Sequence, residues 1–338
     1  MTATLKVVVA GTGSAGFEHL REFGAHPGAR VVGIVDPDAQ RAEAVRAELG
    51  LDCPIRPSLE AALADDRPDA VVIATPNQLH PKMTEVAAAA GVHILLEKPA
   101  GLDNQAIDAM LSAVRRAGVL CQVNMILRWH PMIESIVRLR NEGALGHVHT
   151  VEADFIFGEL EAREPDWART TEGGGSLHLY AGCHAYDQLE WLMDDRVTEV
   201  SAVSSRQPGQ WEYDVTACAV MRFANGGLGR ATVTLEAAAP YRFGIRVFGT
   251  RGTILNNTIC IPAVHGGEYV EHCAQQVDVT YLPFDRVADD FIQNVTTGAD
   301  SHAALEHTAD LFRLAIDTDT AAREHQVVRR IARTEVRP

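Results

Sequence analysis

Short apolar runs alternate with helix-like segments through the first third of the chain, and this alternation constrains the fold more than any other feature. Strand-like runs such as "LKVVVAG", "RVVGIVD", "AVVIATP" and "VHILLEKP" are each followed by a segment of helical character, such as "DAQRAEAVRAELG". Strands that alternate with helices pair in parallel and carry helices on both faces. The sequence therefore predicts an α/β N-terminal domain with a doubly wound parallel sheet over residues 1–124.

After Asn124 the alternation stops and the chain becomes rich in strands. These strands follow one another through Gly or Asn turns such as "ANGGLG", a pattern typical of antiparallel pairing. The strand candidates span 147–157, 197–205, 214–224, 228–236, 242–249 and 252–261, and two late helices span 284–297 and 302–325. We expect an α+β C-terminal domain with an open, mainly antiparallel sheet over residues 125–338.

Composition narrows the cellular setting and the partners. The formal charge of −15 disfavours nucleic acid and anionic membranes, because both attract basic surfaces. Six cysteines are scattered without a CxxC pair, which is typical of reduced thiols in the cytosol. No apolar stretch is long enough to span a bilayer, and the chain enters a strand at once, leaving no room for a signal peptide. We expect a cytoplasmic protein with no membrane or nucleic-acid partner.

The segment "VVVAGTGSAGFEH" places three glycines in GxGxxG register between the first strand and the first helix. Such glycines permit a tight turn and close approach of the backbone to a pyrophosphate, whose charge the helix N-terminus favours. Asp36 ends the second strand, 20 residues after Gly16, where a carboxylate accepts hydrogen bonds from a ribose diol. The expected cofactor ligands here are Gly11, Thr12, Gly13, Ser14, Ala15, Gly16 and Asp36. Because Asp36 would repel a 2′-phosphate and Arg41 is the only cation nearby, we expect NAD(H) in preference to NADP(H).

Two further segments follow strands at the same predicted edge of the sheet, where ligands of doubly wound folds bind. "TPNQLH" follows the fourth strand, and its candidate contacts to a nicotinamide ribose are Thr75, Pro76, Asn77 and His80. Asn77 and His80 are equally well explained as helix-start residues. "EKP" ends the fifth strand and adds Glu97 and Lys98 to the cofactor-binding candidates.

Lys98 is one of only three lysines, with Lys6 and Lys82, in a chain that has 30 Lys plus Arg residues. A desolvated lysine changes its protonation readily, whereas arginine stays protonated. At this strand end Lys98 indicates an amine whose proton moves, near the reactive end of a dinucleotide. A surface charge at a strand end is the alternative explanation, and a compositional bias toward arginine would by itself make lysine rare.

These motifs together resemble the glucose–fructose oxidoreductase / inositol dehydrogenase / MocA-like (Gfo/Idh/MocA) family of oxidoreductases. The resemblance covers nearly the whole chain and rests on "GTGSAGFEH", "TPNQLHPKMTEVAAAAGVHILLEKPAG", "RWHPMIESIVRLRNEGALGHV", "GGGSLHLYAGCHAYDQLEWL" and "VFGTRGTI". It implies an N-terminal Rossmann domain, with Lys98 between cofactor and substrate and His184 of "GCHAYD" as the acid/base group. It also implies that the open sheet pairs with another subunit in a homodimer or homotetramer.

Elementary chemistry agrees with the roles that the resemblance implies for Lys98 and His184. Hydride transfer to nicotinamide requires the substrate hydroxyl to lose a proton, and an imidazole has an ordinary pKa suited to accepting it. Lys98 as an ammonium would stabilise a developing alkoxide, or bind the carbonyl in the reverse direction. Asp187, three residues after His184 on a predicted helix, would orient the imidazole or bind a substrate hydroxyl. A capping or surface carboxylate is the alternative for Asp187.

One position departs from the family pattern. Relatives commonly carry Asp four residues before the histidine, in a DxGxH arrangement, where "YAGCH" has Tyr180. Three explanations remain open: Tyr180 is a hydroxyl contact of the substrate, the pocket is reshaped for a larger or more aromatic substrate, or catalysis is impaired.

Other pocket candidates are Arg128, Trp167 and Tyr241, the last through the resemblance to inositol dehydrogenases. Sugars bind through aromatic faces and bidentate polar groups, which these residue types supply, but packing explains each of them equally well. His178 and His184 lie six residues apart and no HExxH or Cys/His cluster occurs, so the sequence indicates no metal site.

The leading hypothesis is an NAD(H)-dependent oxidoreductase that acts on a secondary alcohol or ketone of a sugar, cyclitol or derivative. The first alternative is a redox-neutral glycoside hydrolase that oxidises its substrate transiently and recycles bound NAD. The second is a non-catalytic nucleotide-sensing regulator, against which the presence of both Lys98 and His184 argues.

Overall fold

The structure of the protein is a computed structural model that describes residues 4–158, 165–206, 209, 211–273 and 281–330. It divides into two compact units. The first comprises the chain up to Asn124 together with Pro283–Asp310, and the second comprises Met125–Leu282 and the stretch that begins at Leu311. The predicted division also changed at Asn124, but it placed residues 283–310 in the second domain, because a helical pattern does not reveal which unit a helix packs against.

The first unit contains a six-stranded sheet. Its strands are β1 Leu5–Ala10, β2 Ala29–Val35, β3 Ile55–Arg56, β4 Ala70–Ile73, β5 His93–Leu96 and β6 Cys121–Val123. They pair in parallel in the order β3-β2-β1-β4-β5-β6. The helices between them are α1 Ser14–Ala25, α2 Ala39–Glu48, α3 Leu59–Asp65, α4 His80–Ala89 and α5 Asn104–Ala117. The strand order reverses beside β1, so the predicted doubly wound sheet is confirmed.

Local sequence explains where these elements begin and end. Strand β4 is buried along its whole length and β1 along nearly all of it, as expected for parallel strands covered by helices on both faces. Asp103 caps the start of helix α5, and its carboxylate accepts a hydrogen bond from the Ala106 backbone N–H at 2.8 Å. The helix ends at Gly118, which takes the left-handed conformation with φ +66°.

The remaining elements follow in chain order after Met125. They are α6 Pro131–Asn141, β7 Val148–Gly158, α7 Cys183–Met193, β8 Val197–Ser205, β9 Thr216–Phe223, β10 Leu228–Ala237, β11 Arg242–Gly249, β12 Thr253–Leu255, β13 Thr258–Cys260, α8 Pro262–His265, β14 Val270–Glu271, α9 Phe284–Thr297, α10 Leu305–Glu324 and β15 Val328–Arg329. Nine strands form one sheet in the order β14-β13-β12-β11-β7-β10-β9-β8-β15. Strands β7 and β10 pair in parallel and the other neighbours pair antiparallel, which confirms the predicted mainly antiparallel sheet.

The two faces of the nine-stranded sheet differ. Helix α7 packs on β7 and β10 on one face and is buried along almost its whole length. On the other face the alternating strands leave large apolar side chains in solvent, namely Val203, Val220 and Leu228. Among the helices that the structure describes, none is both long enough and apolar enough to cross a membrane.

In the first unit, the late helix α9 packs against α1. The rings of Phe23 and Phe291 meet edge to face with 6.2 Å between their centroids, and His26 Nε2 lies 2.9 Å from an Asp289 carboxylate oxygen. Apolar contact of this kind decides which unit holds residues 283–310.

The glycine loop gives a stability test with a built-in control. A Cβ added at Gly16 would lie 2.1 Å from the Gly11 carbonyl oxygen, whereas a Cβ at Gly13 would have no atom within 4 Å. We expect Gly16→Ala to lower the melting temperature by roughly 2–10 °C, because relieving the overlap strains the backbone. Gly13→Ala should melt close to the parent protein in the same calorimetric scans without added nucleotide. Equal melting temperatures for the two variants would contradict this account of the turn.

Candidate active site

The strands at the centre of the first sheet end level with one another. In the ladder, Ala10 lies beside both Val35 and Ile73. Ile73 in turn lies beside Leu96, and Leu96 beside Val123. The segments that follow these strands therefore meet at one edge of the sheet, and they begin with Gly11, Asp36, Ala74, Glu97 and Asn124. The predicted edge is thus where the structure gathers the candidate cofactor ligands of this unit.

The glycine loop presents open backbone at Gly13. Gly11 has φ +97°, and a Cβ there would lie 2.2 Å from the Ala74 carbonyl oxygen, so Gly11 fits against the neighbouring segment. Gly13 precedes helix α1, and no side chain caps this helix end by a hydrogen bond. The first N–H groups of α1 are therefore not engaged by a capping side chain, and an anion placed there would find both donors and the favourable end of the helix dipole.

Asp36 is buried and hydrogen-bonded to protein groups through both carboxylate oxygens. Thr12 donates to Oδ2 through its backbone N–H at 3.0 Å and its hydroxyl at 2.5 Å, and the Asp38 N–H donates to Oδ1 at 2.9 Å. Arg41 Nη2 lies 2.8 Å from Oδ1 and 3.0 Å from Oδ2. Burial alone would raise the pKa of Asp36, but the bonds from Thr12, Asp38 and Arg41 outweigh it and lower that pKa. Asp36 is thus an ionised carboxylate covered by an arginine, which a ribose diol would have to displace.

The segment after β4 contains Asn77, a candidate cofactor ligand, and His80, whose ring contacts backbone carbonyl oxygens. Asn77 is buried, and its side-chain Nδ2 has no hydrogen-bond acceptor within the part of the chain that the structure describes. His80 is fully buried with Nδ1 2.8 Å from the Pro99 carbonyl oxygen and Nε2 3.0 Å from that of Thr75. Burial is the main cause that lowers the pKa of His80. His80 therefore joins the two loops to each other, whereas the Asn77 amide remains available to a ligand.

Glu97 and Lys98 follow β5 directly. The Glu97 carboxylate is buried, and its Oε1 lies 2.9 Å from His19 Nε2 and accepts a hydrogen bond from Asn124 Nδ2 at 2.6 Å. Burial alone would raise the pKa of Glu97, but its hydrogen bond with His19, the charge of His19, the bond from Asn124 and the charge of Lys98 lower that pKa to about 2. Lys98 itself is half-buried at the carboxyl edge of the sheet.

These residues suit a dinucleotide. A Cβ at Gly13 would have no atom within 4 Å, which leaves room for a pyrophosphate to approach the loop. The Asn77 Nδ2, which has no hydrogen-bond acceptor among the described residues, would donate to a polar group of the ligand. The segment Gly11–Gly16 would hold the pyrophosphate, and Asp36 lies at the end of β2 where the adenosine ribose of such cofactors is bound. Thr12 is buried and hydrogen-bonded to Asp36, so it holds the Asp36 carboxylate in place.

In the second unit, His184 is fixed by an aromatic ring. It is the second residue of α7, is almost wholly buried, and stacks on Phe155 of β7 with 5.1 Å between ring centroids and 21° between ring planes. A π-helical turn, His178–Gly182, leads directly into α7. Such turns occur often at functional sites, because the extra residue redirects the side chains around it.

Arg128 and Asp187 contact each other in the second unit. Both are buried, Arg128 Nη2 lies 2.5 Å from Asp187 Oδ1, and Arg128 Nε lies 3.1 Å from both carboxylate oxygens. The guanidinium also lies 4.5 Å from the ring centroid of Trp191. Asp187 is therefore neither a surface carboxylate nor a helix cap, and the sequence did not predict its partner, which lies 59 residues away.

The aromatic candidates belong to different neighbourhoods. Tyr241 packs edge-on against Phe155, the ring on which His184 stacks, with 5.7 Å between centroids, and burial raises the pKa of its phenol. Tyr180 is buried in the π-helical turn, and its ring centroid lies 6.1 Å from that of Trp211. Trp167 lies in a 3-10 turn, Asp166–Arg169, where its carbonyl oxygen accepts a hydrogen bond from the Thr170 hydroxyl at 2.8 Å. The structure thus brings Tyr241 and His184 to the same ring.

Several residues of these neighbourhoods were missed from the sequence. They are His19, Asn124, Phe155, Trp191 and Trp211. His19 was visible as part of "GFEH", but its partner Glu97 is 78 residues away and no local pattern joins the two. Within the described ranges, no group of three or more His, Cys, Asp or Glu side chains is arranged to hold a metal ion.

Comparison with known proteins agrees with this geometry. Residues 5–125 match the NAD-binding Rossmann fold of the GFO/IDH/MocA oxidoreductase family, and residues 133–255 match the GFO/IDH/MocA C-terminal domain. The chain is 30% identical over 266 residues to scyllo-inositol 2-dehydrogenase (NAD(+)) of Bacillus subtilis, covering 77% of this chain and 75% of that relative.

Two further relatives widen the comparison. The chain is 28% identical over 209 residues to a 2,7-anhydro-N-acetylneuraminate hydratase of Mediterraneibacter gnavus, which covers 62% of this chain but only 54% of that protein. The solved structure of levoglucosan dehydrogenase in complex with NADH has the same fold, with a TM-score of 0.86 at 20% identity over 96% of this chain and 98% of that one. Because family matches span both units, the first unit is an NAD-binding Rossmann domain and the protein belongs to the Gfo/Idh/MocA family of oxidoreductases.

Proposed function

We propose that the protein transfers a hydride between nicotinamide and a secondary alcohol or ketone of a sugar, cyclitol or derivative. The observation that carries the proposal is the position of Lys98, a half-buried amine directly after β5 at the edge where the glycine loop and Asn77 also lie. The scyllo-inositol 2-dehydrogenase relative supports a polyol substrate, although it does not identify which one.

His184 and Lys98 divide the acid/base work in this proposal. NAD accepts or supplies the hydride when it is bound. His184 takes the proton of the substrate hydroxyl, and its ring is held in one plane by stacking on Phe155. Lys98 as an ammonium stabilises the negative charge that develops on the substrate oxygen. Arg128 and Asp187 hold each other in an ion pair. If one of them contacts the substrate, it does so through donors or acceptors that the ion pair does not use.

A second candidate is a redox-neutral reaction in which bound NAD is used and regenerated within one turnover. The hydratase relative favours keeping it, because a hydratase adds water without net oxidation. Tyr180 does not distinguish the two candidate reactions, because its buried ring packs near α7 whichever reaction the protein carries out.

Turnover and its dependence on Lys98 test the proposal. We expect reduced nicotinamide to form when NAD is added with one member of a panel of cyclitols, free sugars, glycosides and anhydrosugars. Lys98→Met and His184→Gln should each lower kcat/KM by about 100-fold or more, because each removes a group that acts in the transition state. Lys82→Met, which removes an exposed lysine, is the matched control. Net conversion of a substrate without reduced nicotinamide would select the redox-neutral reaction, and full activity of Lys98→Met would refute the assignment.

Cofactor choice gives a second test. We propose that NAD is preferred to NADP because the buried, ionised Asp36 carboxylate would face a 2′-phosphate. Asp36→Asn should raise the ratio of kcat/KM for NADP to that for NAD by about tenfold or more, which corresponds to loss of one charge repulsion. Glu43→Gln, an acid-to-amide change at an exposed site on α2, should leave the ratio unchanged. An unaltered ratio in Asp36→Asn would show that Asp36 does not select the cofactor.

The open face of the nine-stranded sheet supports a homodimer or homotetramer. Glu152 and Asp154 of β7 lie between Arg230 of β10 and Arg246 of β11, with ion-pair distances of 2.8–3.3 Å. The two acids balance the charge of the two arginines at the centre of this face. On the part of the same face formed by β8, β9 and β10, Val203, Val220 and Leu228 are exposed. A neutral, partly apolar surface of this kind suits a second copy of the chain related by a two-fold axis.

Light scattering after size exclusion tests the assembly. Val220 is 55% exposed on this face, and Val264 of α8 is 72% exposed. We expect Val220→Glu to lower the mass of the assembly, because it places an unpaired charge in the contact, whereas Val264→Glu should not change it. A parent protein that elutes at 36.7 kDa would contradict the proposal.

A further inference from the structure

Glu97 is a buried carboxylate whose oxygens are engaged by the protein itself. Its Oε1 receives a hydrogen bond from Asn124 Nδ2 at 2.6 Å and lies 2.9 Å from His19 Nε2. Its Oε2 lies 3.3 Å from the backbone N–H of Lys98. These three contacts come from α1, from the end of β6 and from the next residue in the chain. They make Glu97 a junction between these three parts of the protein, while its predicted contact with the cofactor stays a prediction.

His19 brings the nucleotide-binding helix to this junction. It lies on α1 three residues after Gly16, so it shares a face of the helix with the glycine loop. Its ring is completely buried and meets the ring of Phe284 edge to face, with 5.0 Å between centroids. The packing fixes the ring plane, and the fixed ring holds its Nε2 against Glu97.

We propose that His19 and Glu97 form a positioning pair for Lys98, in which His19 holds the Glu97 carboxylate in place and Glu97 keeps a negative charge and a backbone contact beside the amine. The proposal rests on the proposed role of Lys98 in hydride transfer. It assigns neither His19 nor Glu97 any contact with the cofactor or the substrate.

Charge explains why the pair matters to the amine. The titratable groups around Glu97, among the described residues, are His19, His80 and Lys98. A carboxylate close to an amine favours its ammonium form, which is the form that stabilises a developing alkoxide. Without its His19 partner, a buried carboxylate takes up a proton or moves toward water. Either change removes negative charge from the vicinity of Lys98.

The scarcity of lysine makes the amine directly measurable without cofactor or substrate. Glutamates separate the three lysines in the sequence, with Glu18 between Lys6 and Lys82 and Glu85 between Lys82 and Lys98. After brief treatment with acetic anhydride and cleavage at glutamate, acylation of each lysine is therefore read in a separate peptide by mass spectrometry. Lys82, which is exposed on α4, serves as an internal control in every sample. The ratio of Lys98 to Lys82 acylation reports the fraction of reactive, uncharged amine at Lys98.

Three variants separate the donor from the ring. His19→Phe keeps the aromatic contact with Phe284 but removes the hydrogen bond, His19→Gln keeps an amide donor toward Glu97, and Glu97→Gln removes the charge at nearly constant shape. We expect His19→Phe and Glu97→Gln to raise the acylation ratio at pH 8 by roughly threefold or more, because less ammonium is stabilised. His19→Gln should stay within about twofold of the parent protein, because a donor to Glu97 remains. If His19→Phe does not fold, Glu97→Gln alone decides the result.

Kinetics provide the second readout. Once a substrate is found, His19→Phe and Glu97→Gln should lower kcat by about tenfold or more while KM for NAD stays within about threefold, because the pair acts on Lys98 and not on the nucleotide. An unchanged acylation ratio in both variants would overturn the proposal. A rise in KM for NAD that matches the loss of kcat would also overturn it and return Glu97 to the cofactor ligands. If Lys98→Met retains activity, the proposed function fails, while the acylation ratio still tests the pair.

Discussion

The level register of the parallel ladder is the constraint on which the cofactor site depends. Neighbouring parallel strands lie about 4.8 Å apart, so strands that end at the same level bring the residues after them into one row. Here that row contains the glycine loop, Asp36, the segment at Thr75 and the Glu97–Lys98 pair. A shift of one strand by a single residue would turn all of its side chains to the opposite face and disperse the row. The backbone hydrogen bonds of the sheet therefore place the candidate cofactor ligands at one edge, independently of the contacts that their side chains make.

Each proposed reactive residue is accompanied by a buried, hydrogen-bonded carboxylate that is close to it in sequence. Glu97, bound by His19 and Asn124, precedes Lys98 directly, and Asp187, bound by Arg128, follows His184 by three residues. A buried ion pair contributes little net stability, because desolvation offsets most of the Coulomb attraction. It does hold its two elements in one geometry, since separating the charges is costly. In this protein such contacts restrain the backbone on which a reactive side chain is carried.

Local pattern was sufficient for the fold class, because strands alternating with helices permit few architectures. It also located Lys98 and Asn77 at the correct edge, since a strand end is visible in the sequence. Pairing between distant polar side chains was not visible: Arg128 finds Asp187 and His19 finds Glu97 across 59 and 78 residues. The predicted strand 252–261 is a hairpin, Thr253–Leu255 and Thr258–Cys260, because Asn256 adopts φ +53° and turns the chain. An asparagine pair in a β-rich run signals such a turn.

The π-helical turn before His184 changes what spacing means in this segment. Hydrogen bonds in a π-helix run from residue i to i+5, so each turn takes up more residues than the 3.6 of an α-helix. Tyr180 lies inside this turn, four residues before His184, and the two therefore do not stand one above the other as they would on a regular helix. Deleting one residue from His178–Gly182 would convert the turn to ordinary helix and rotate everything before it relative to the imidazole. Length variation of a single residue is thus a means of redesigning this pocket without exchanging any side chain.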